Sequence, residues 1–192
     1  MPLSFYCNQC YNKLDKQSLG GEIVDIVLID KSNFGYGSMD SFSRYQVVEN
    51  VYRLIDGTLQ LVHHPFTENW SLERKREKAK EILSGKHTVY GAFENGDVIG
   101  IIMLLPELDR NRMIIDSFHV SADKRRQGYG RALFEAAKME AREHGAAALY
   151  VSACSAQETI DFYMAMGFRV SLHPIQSCVD DEPWDIQMEC VL

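Results

Sequence analysis

The stretch Val120-Ser121-Ala122-Asp123-Lys124-Arg125-Arg126-Gln127-Gly128-Tyr129-Gly130-Arg131 is the most informative part of the sequence. A β-rich run ends here, a basic loop follows, and two glycines open a predicted helix. The first amides of a helix lack partners within the helix, and the helix dipole favours an anion beside them. Glycine also lets the backbone approach a ligand closely. The stretch therefore predicts a phosphate-binding turn between a strand and a helix.

The charge around this stretch supports an anion site. Net charge is −7 for the whole chain, yet the segment 110–131 carries six basic and two acidic residues (Arg110, Arg112, Lys124, Arg125, Arg126 and Arg131 against Asp116 and Asp123). The glycine spacing fits neither a Walker A loop, which needs Lys-Ser/Thr after its last glycine, nor a Rossmann fingerprint. From residue types alone, a tight turn with incidental charge remains the alternative.

Composition places the chain among single globular domains. It has 192 residues, of which 46% are apolar and 24% charged, and these values exclude a disordered chain, a coiled coil and a collagen. No apolar run approaches the ~20 residues of a membrane span. The acidic balance argues against a broad nucleic-acid surface, and the N-terminus does not resemble a signal peptide. We expect a cytoplasmic protein without a membrane or nucleic-acid partner, with a loose leader at 1–21 and one domain at 22–192.

The cysteines give no metal signature. There are five, an odd number, which suggests free thiols. Cys7 and Cys10 form a CxxC, but no second pair of ligands follows at finger or ribbon spacing. We therefore expect no bound metal and two surface thiols at Cys7 and Cys10, with a metal or redox role of the CxxC as the alternative.

Hydrophobic periodicity predicts a mixed α/β (α+β) fold. Asn95-Gly96 between two β-rich runs predicts a hairpin, and Ser71 is a predicted helix cap. The predicted helices are 42–55, 72–83, 128–144 and 157–166. The predicted strands are 23–29, 58–62, 87–94, 98–105, 113–120, 148–152, 168–172 and 185–191.

Two segments resemble the signatures of the GNAT N-acetyltransferases. Arg125-Arg126-Gln127-Gly128-Tyr129-Gly130 is similar to the acetyl-CoA loop, Q/R-x-x-G-x-G/A, and Thr159-Ile160-Asp161-Phe162-Tyr163-Met164-Ala165-Met166-Gly167-Phe168 resembles the second signature, A-I-x-F-Y-x-x-x-G-F. The resemblance covers residues 87–172. It implies a mostly antiparallel central sheet of about six to seven strands with helices on both faces. It also implies acetyl transfer from acetyl-CoA to a primary amine, and a homodimer is possible. The alternative is an inactive acyl-CoA-binding sensor or partner-binding module on the same fold.

The resemblance also implies roles for particular residues. The strands 113–120 and 148–152 separate to admit the pantetheine, which pairs with the backbone of Phe118 and Val120. The Phe118 amide polarises the thioester carbonyl, and Tyr163 is the general acid. Ala156 stands where the family often has asparagine, with Ser155 as the substitute. The pyrophosphate lies on the loop formed by Arg125, Arg126, Gln127, Gly128, Tyr129, Gly130 and Arg131.

The general base is less defined. Strand alternation would place Asp116 on one face with Phe118 and Val120, unless the strand bulges as it often does in this family. His119, which we expect to face the other side, and a chain of waters are the alternatives.

The C-terminal segment favours a cationic acceptor. Residues 171–192 contain no Lys or Arg and five acids (Asp180, Asp181, Glu182, Asp185 and Glu189). Such a segment near the acceptor entrance would attract a small cationic amine or peptide. A solubilising tail is the alternative.

Overall fold

The computed structural model describes residues 17–19 and 22–192, with side chains from Asp25 onward. Most of the predicted leader, including Cys7 and Cys10, lies outside the described residues. The helices are α1 Leu72–Leu83, α2 Tyr129–Glu143, α3 Gln157–Ala165 and α4 Gln176–Asp181. The strands are β1 Gln17–Leu19, β2 Glu22–Leu28, β3 Tyr45–Ile55, β4 Thr58–Asn69, β5 Thr88–Glu94, β6 Asp97–Leu104, β7 Arg112–Val120, β8 Ala148–Ala153, β9 Arg169–Val170 and β10 Ile186–Val191.

The main sheet is mixed and mostly antiparallel, as predicted. Its eight described strands lie in the order β1-β2-β5-β6-β7-β8-β10-β9. Only β7 and β8 run parallel among the described strands. Asn95 and Gly96 have positive φ angles of 52° and 87° in the predicted β5–β6 hairpin. This matches the turn that Asn-Gly favours.

Helices cover both faces of this sheet. Strand alternation sends Ile101 and Met103 of β6 into a core with α1, while Ile102 and Leu104 face a second core with α2 and α3. Ser71 caps α1, as predicted, by accepting from the Arg74 amide at 3.2 Å. The site thus lies on a sheet that is fixed from two sides.

The predicted helix at 42–55 is wrong, because this segment forms β3 of a separate two-stranded hairpin with β4. Asp56 and Gly57, with φ angles of 50° and 75°, make its two-residue turn. The pairing shifts register between Val48 and Asn50. Val48 and Val51, on either side of the shift, both enter one small core with Ala156. Their spacing of three imitates a helical period.

Two further differences concern the C-terminal third. The strand predicted at 168–172 is reduced to β9, which pairs with β10 over two residues. The short helix α4 contains Asp180 and Asp181, in a segment where the sequence predicted neither a helix nor a strand. Cys154, Cys178 and Cys190 are free, in agreement with the prediction of free thiols.

The parallel strands β7 and β8 separate at one end. Their pairing runs from Arg112↔Ala148 to Ile115↔Val151 and stops there. β7 continues to Val120 paired with β6 alone, and β8 continues to Ala153 paired with β10. The result is a cleft between β7 and β8, as the resemblance implied.

Candidate active site

The β7 wall of the cleft offers backbone groups to a ligand. The Ser121 amide donates to the Ile99 carbonyl at 2.8 Å, so its peptide group faces β6. Backbone groups alternate in direction along an antiparallel pair. Those of His119 and Ser117 therefore also face β6, and those of Phe118 and Val120 face the cleft. These are the two residues that were predicted to pair with pantetheine.

The predicted phosphate turn lies at the mouth of this cleft. Gly128 is the N-cap of α2, with a φ of 95°, and as a glycine it has no side chain that could cap the helix. Its carbonyl accepts from the Ala132 amide at 3.0 Å, so the amides of the first turn have no helical acceptor. Arg126 also has a positive φ, 62°. The turn is thus shaped to present amides to an anion.

Glu94 fixes this turn to the sheet. Its carboxylate binds Lys124 and accepts from the Tyr129 hydroxyl at 3.1 Å. The hydrogen bond from Lys124 holds the pKa of Glu94 below its ordinary value. The side chains of Lys124 and Tyr129 are therefore committed to positioning the loop.

The glycines and the polar side chains of the turn serve different purposes, close packing of α2 and hydrogen bonding within the loop. A Cβ on Gly130 would lie 3.3 Å from the Phe162 ring and 3.6 Å from that of Phe118, so this glycine permits α2 to pack over the cleft. The Arg125 Nε donates to the Val120 carbonyl at 3.1 Å. Gln127 donates to the Asp123 carbonyl at 3.0 Å. The arginines left exposed in the turn are Arg126 and Arg131.

Arg112 contributes nothing to this anion site. It is buried, forms ion pairs with Asp109 and Glu189 at 2.6 and 3.2 Å, and lies over the Tyr150 ring. The sequence count of basic residues therefore overstated the local charge at the turn.

Tyr163 lies in an aromatic cluster beside the β7 wall. Its ring centroid is 6.3 Å from that of Phe118, 5.6 Å from Phe162 and 5.0 Å from Phe168. The side chain is buried. Burial is the main cause that raises the pKa of Tyr163 far above its usual range, and Asp185 and Cys154 add to it. The hydroxyl therefore stays protonated.

The expectation that Asp116 shares a face with Phe118 is wrong. β7 pairs Ser117 with Met103 and Ile115 with Leu104, so Asp116 is the extra residue of a bulge. Its carboxylate lies 3.2 Å from the His87 Nε2, on the α1 side of the sheet. Phe118, two residues later, contacts Phe162 and Tyr163 instead.

His119 and Ser155 both make contacts away from the Phe118–Tyr163 cluster. His119 faces away from Phe118, as expected, and its ring lies edge-on to Trp70 at 4.8 Å. Desolvation, with help from Arg44 and other cations, lowers the pKa of His119 well below its ordinary value. The Ser155 hydroxyl accepts from Arg53 at 2.6 Å, and its carbonyl accepts from the Tyr52 amide at 2.7 Å. Ser155 thus attaches the β3–β4 hairpin to the start of α3.

Asp185 is the residue whose environment the sequence did not reveal. It directly precedes β10, whose first pair is Ile186↔Ala153 at the end of β8 that borders the cleft. It is half-buried, and burial together with Glu182 and Glu68 raises its pKa to about 6. Arg53, which lies over the Trp184 ring at 5.2 Å, acts in the opposite direction. In the sequence, Asp185 was singled out only as one of the five acids in residues 171–192.

The five C-terminal acids do not form one group. Asp180 accepts from Gln176 within α4 at 2.8 Å, and Glu189 binds Arg112 and Ser171. Glu182 and Glu68 of β4 lie near enough to Asp185 to raise its pKa, and Glu68 also forms an ion pair with the buried Arg44. The acids grouped around Asp185 are therefore Glu182 and an ion-paired Glu68.

These features define a gap between β7 and β8 with a glycine turn at the start of α2, a buried tyrosine and a half-buried carboxylate beside it. The family model of the GNAT acetyltransferases matches residues 55–168. The chain belongs to this acetyltransferase family.

Solved structures of low sequence identity share the fold. A nourseothricin acetyltransferase has a TM-score of 0.67 and 19% identity, with coverage of 88% of this chain and 98% of that one. A Bacillus anthracis protein assigned as a streptothricin acetyltransferase, in complex with acetyl coenzyme A, has a TM-score of 0.68 and 16% identity, with coverage of 89% and 99%. The Escherichia coli ribosomal-protein-S18-alanine N-acetyltransferase has a TM-score of 0.55 and 15% identity, with coverage of 88% and 94%.

No curated protein matches the chain by sequence. Within the described residues, none of the helices has the length and apolar character to cross a bilayer.

Proposed function

We propose that this protein transfers the acetyl group of acetyl-CoA to the primary amine of a small cationic molecule or peptide. The observation that carries the proposal is the cleft itself. The strands β7 and β8 separate beside a helix that begins at Gly128, backbone groups of Phe118 and Val120 face away from β6, and Asp185 lies near enough to Tyr163 to raise its pKa.

The donor end fits a pyrophosphate followed by an extended amide-bearing chain. The amides of the turn from Arg125 to Arg131 would bind the pyrophosphate, with Arg126 and Arg131 adding charge. The backbone of Phe118 and Val120 would pair with the pantetheine as a short strand. The Phe118 amide then faces the thioester carbonyl and can stabilise its oxyanion.

Asp185, rather than Asp116, is our proposed general base. Amine acceptors arrive as ammonium ions, and a carboxylate with a pKa of about 6 is ionised at neutral pH yet more basic than an ordinary aspartate. Asp185 takes one ammonium proton, and the freed nitrogen attacks the carbonyl carbon. The Asp116 carboxylate, on the α1 side beside His87, is poorly placed for this step.

Tyr163 is the proposed general acid. When the tetrahedral intermediate collapses, the C–S bond breaks and the thiolate accepts the hydroxyl proton. The tyrosine then recovers a proton from the acetylated nitrogen. A dry site raises the pKa of the departing thiol as well as that of the phenol, so the transfer stays feasible.

Charge at the entrance favours a cationic acceptor. Glu68 and Glu182 lie close enough to Asp185 to raise its pKa. Glu68 is already paired with Arg44, so Asp185 and Glu182 are the acids that would attract an ammonium or guanidinium group. Ser155 contributes indirectly in this view, since Arg53 holds it against the hairpin.

A thiol-release assay with acetyl-CoA tests the proposal. The panel contains polyamines, amino acids, peptides and streptothricin, the compound in the name of one structural neighbour, and mass spectrometry identifies the acetylated product. Turnover with a cationic amine supports the proposal. Saturable CoA binding without turnover on any acceptor favours the inactive acyl-CoA-binding module. Absence of CoA binding contradicts both.

A further inference from the structure

The bulge that turns Asp116 away from the cleft brings it into a second cluster. Glu81 of α1, His87 before β5 and Asp116 of β7 each present one ligating atom, and these atoms lie within 4.8 Å of one another. The cluster is on the α1 side of the sheet, outside the acetyl-transfer path. Three separate segments of the chain therefore converge on one point with nitrogen and oxygen donors.

Of the two ring nitrogens of His87, only one has a partner among the described residues. Its side chain is 7% exposed, and its Nε2 lies 3.2 Å from the Asp116 Oδ2. Its Nδ1 is buried and has no hydrogen-bond partner in the part of the chain that the structure describes. A buried imidazole ordinarily uses both nitrogens, so the described residues satisfy only the Asp116 side of this ring.

The two carboxylates keep free coordinating capacity. Glu81 receives the buried Lys78 ammonium on Oε2 at 2.6 Å, which leaves Oε1 open and orients the group in the manner of an outer-shell partner. The Asp116 side chain is 36% exposed. A bound cation would thus have both protein ligands and an open side for water.

We propose that Glu81, His87 and Asp116 bind a divalent first-row transition metal ion, with Zn²⁺ as the best-suited probe. Two ligands ~2.0–2.1 Å from a tetrahedral zinc are ~3.3 Å apart, and the Nε2–Oδ2 separation of 3.2 Å fits this edge. Imidazole with carboxylates suits zinc and manganese rather than calcium, which takes oxygen ligands only. The ion would tie the end of α1 to the bulge of β7.

Calorimetry and thermal unfolding of the full chain test this site. The protein carries Cys7→Ser and Cys10→Ser, so that the CxxC cannot bind the probe, and is treated with EDTA and dialysed. We expect saturable binding of one Zn²⁺ per chain. Because a ligand specific to the folded state stabilises it, we also expect an unfolding temperature higher by about 5 °C at ~100-fold excess over Kd.

Single substitutions locate the binding. Asp116→Asn keeps a side chain of equal size at an exposed position, and His87→Gln removes the imidazole; each should weaken Zn²⁺ binding at least ~10-fold. His144→Gln is the matched control, because His144 also lies beside a carboxylate, with its Nδ1 3.4 Å from Glu140. It should leave binding unchanged. An absence of saturable binding, or an equal loss in the His144 variant, would overturn the proposal, whatever the outcome for acetyl transfer.

Discussion

The donor turn and the β3–β4 hairpin border the same cleft but are stabilised differently. In the donor turn, residues 121–131, Lys124 forms an ion pair with Glu94 and the Ser121 hydroxyl donates to Asp123. The positive φ of Gly128 sets the direction of the backbone where α2 begins. The hairpin is attached through a few side chains, with Arg53 on Ser155 and the Tyr52 hydroxyl on Asp161 at 3.0 Å. Under the proposed function, donor binding would therefore depend on the backbone, whereas acceptor selection would depend on exchangeable side chains.

The strongest test of this contrast is Gly128→Asp. A carboxylate at the mouth of the turn, at a φ of 95°, would repel the pyrophosphate and strain the backbone, so CoA binding should be lost. Calorimetry with CoA measures it. Gly145→Asp is the matched control, because Gly145 follows the other end of α2 with a φ of 73° and open space around it. Normal CoA affinity in the folded Gly128 variant would contradict the assignment of the turn.

Tyr163→Phe separates chemistry from donor binding. Loss of the general acid should reduce kcat by ~10²-fold or more while CoA affinity stays near that of the parent protein. Tyr52→Phe removes a different hydroxyl in contact with α3 and should keep kcat within about threefold. If Tyr163→Phe retains kcat to within a factor of three, the tyrosine only packs in the aromatic cluster.

The pH dependence of kcat/KM tests Asp185. The base must be ionised, so kcat/KM should rise with pH through about 6 and then level off. Asp185→Asn should remove this limb and lower the plateau by at least ~10-fold. Arg53→Met should move the limb to higher pH, since Arg53 lowers the pKa of Asp185.

Stability gives Asp185 an independent check. Its pKa in the folded state lies above the ordinary 3.8, so the folded state loses stability as pH rises from ~4 through 6. Asp185→Asn should therefore raise the unfolding temperature at pH 8 and change it little near pH 3. A variant that loses activity and stability together at pH 8 would indicate a structural role.

Acceptor charge gives the smallest expected effect. Glu182→Gln should raise the KM of a cationic acceptor about two- to fivefold and weaken its salt dependence, because an exposed charge acts over ~10 Å at 0.1 M salt. The Asp180→Asn, Asp181→Asn double variant is the control, since α4 holds these residues apart from the Asp185 group. Neither variant should alter the KM for acetyl-CoA. An equal effect of both variants would mean that only the net charge matters.

Local signals explain which parts of the site could be predicted. Asn-Gly, the glycines after a basic loop and the Ser71 cap each act within a few residues, so β5, β6, α1 and α2 are close to their predicted positions. The Asp56-Gly57 turn carries a comparable signal. We nevertheless predicted a helix at 42–55, because Val48 and Val51 have helical spacing. In the structure this spacing results from the register shift in the β3–β4 hairpin.

The sequence by itself determined the strand, the basic glycine turn and the helix that follows it, because these depend on neighbouring residues, and its resemblance to the GNAT signatures named the candidate tyrosine. Only the tertiary structure showed where the carboxylates lie. Asp116 turns toward His87 because β7 bulges against β6, and Asp185 comes near Tyr163 because β10 pairs with β8. Both outcomes arise from pairing between strands that are distant in the chain, and the register of such pairs is set by the packed sheet as a whole.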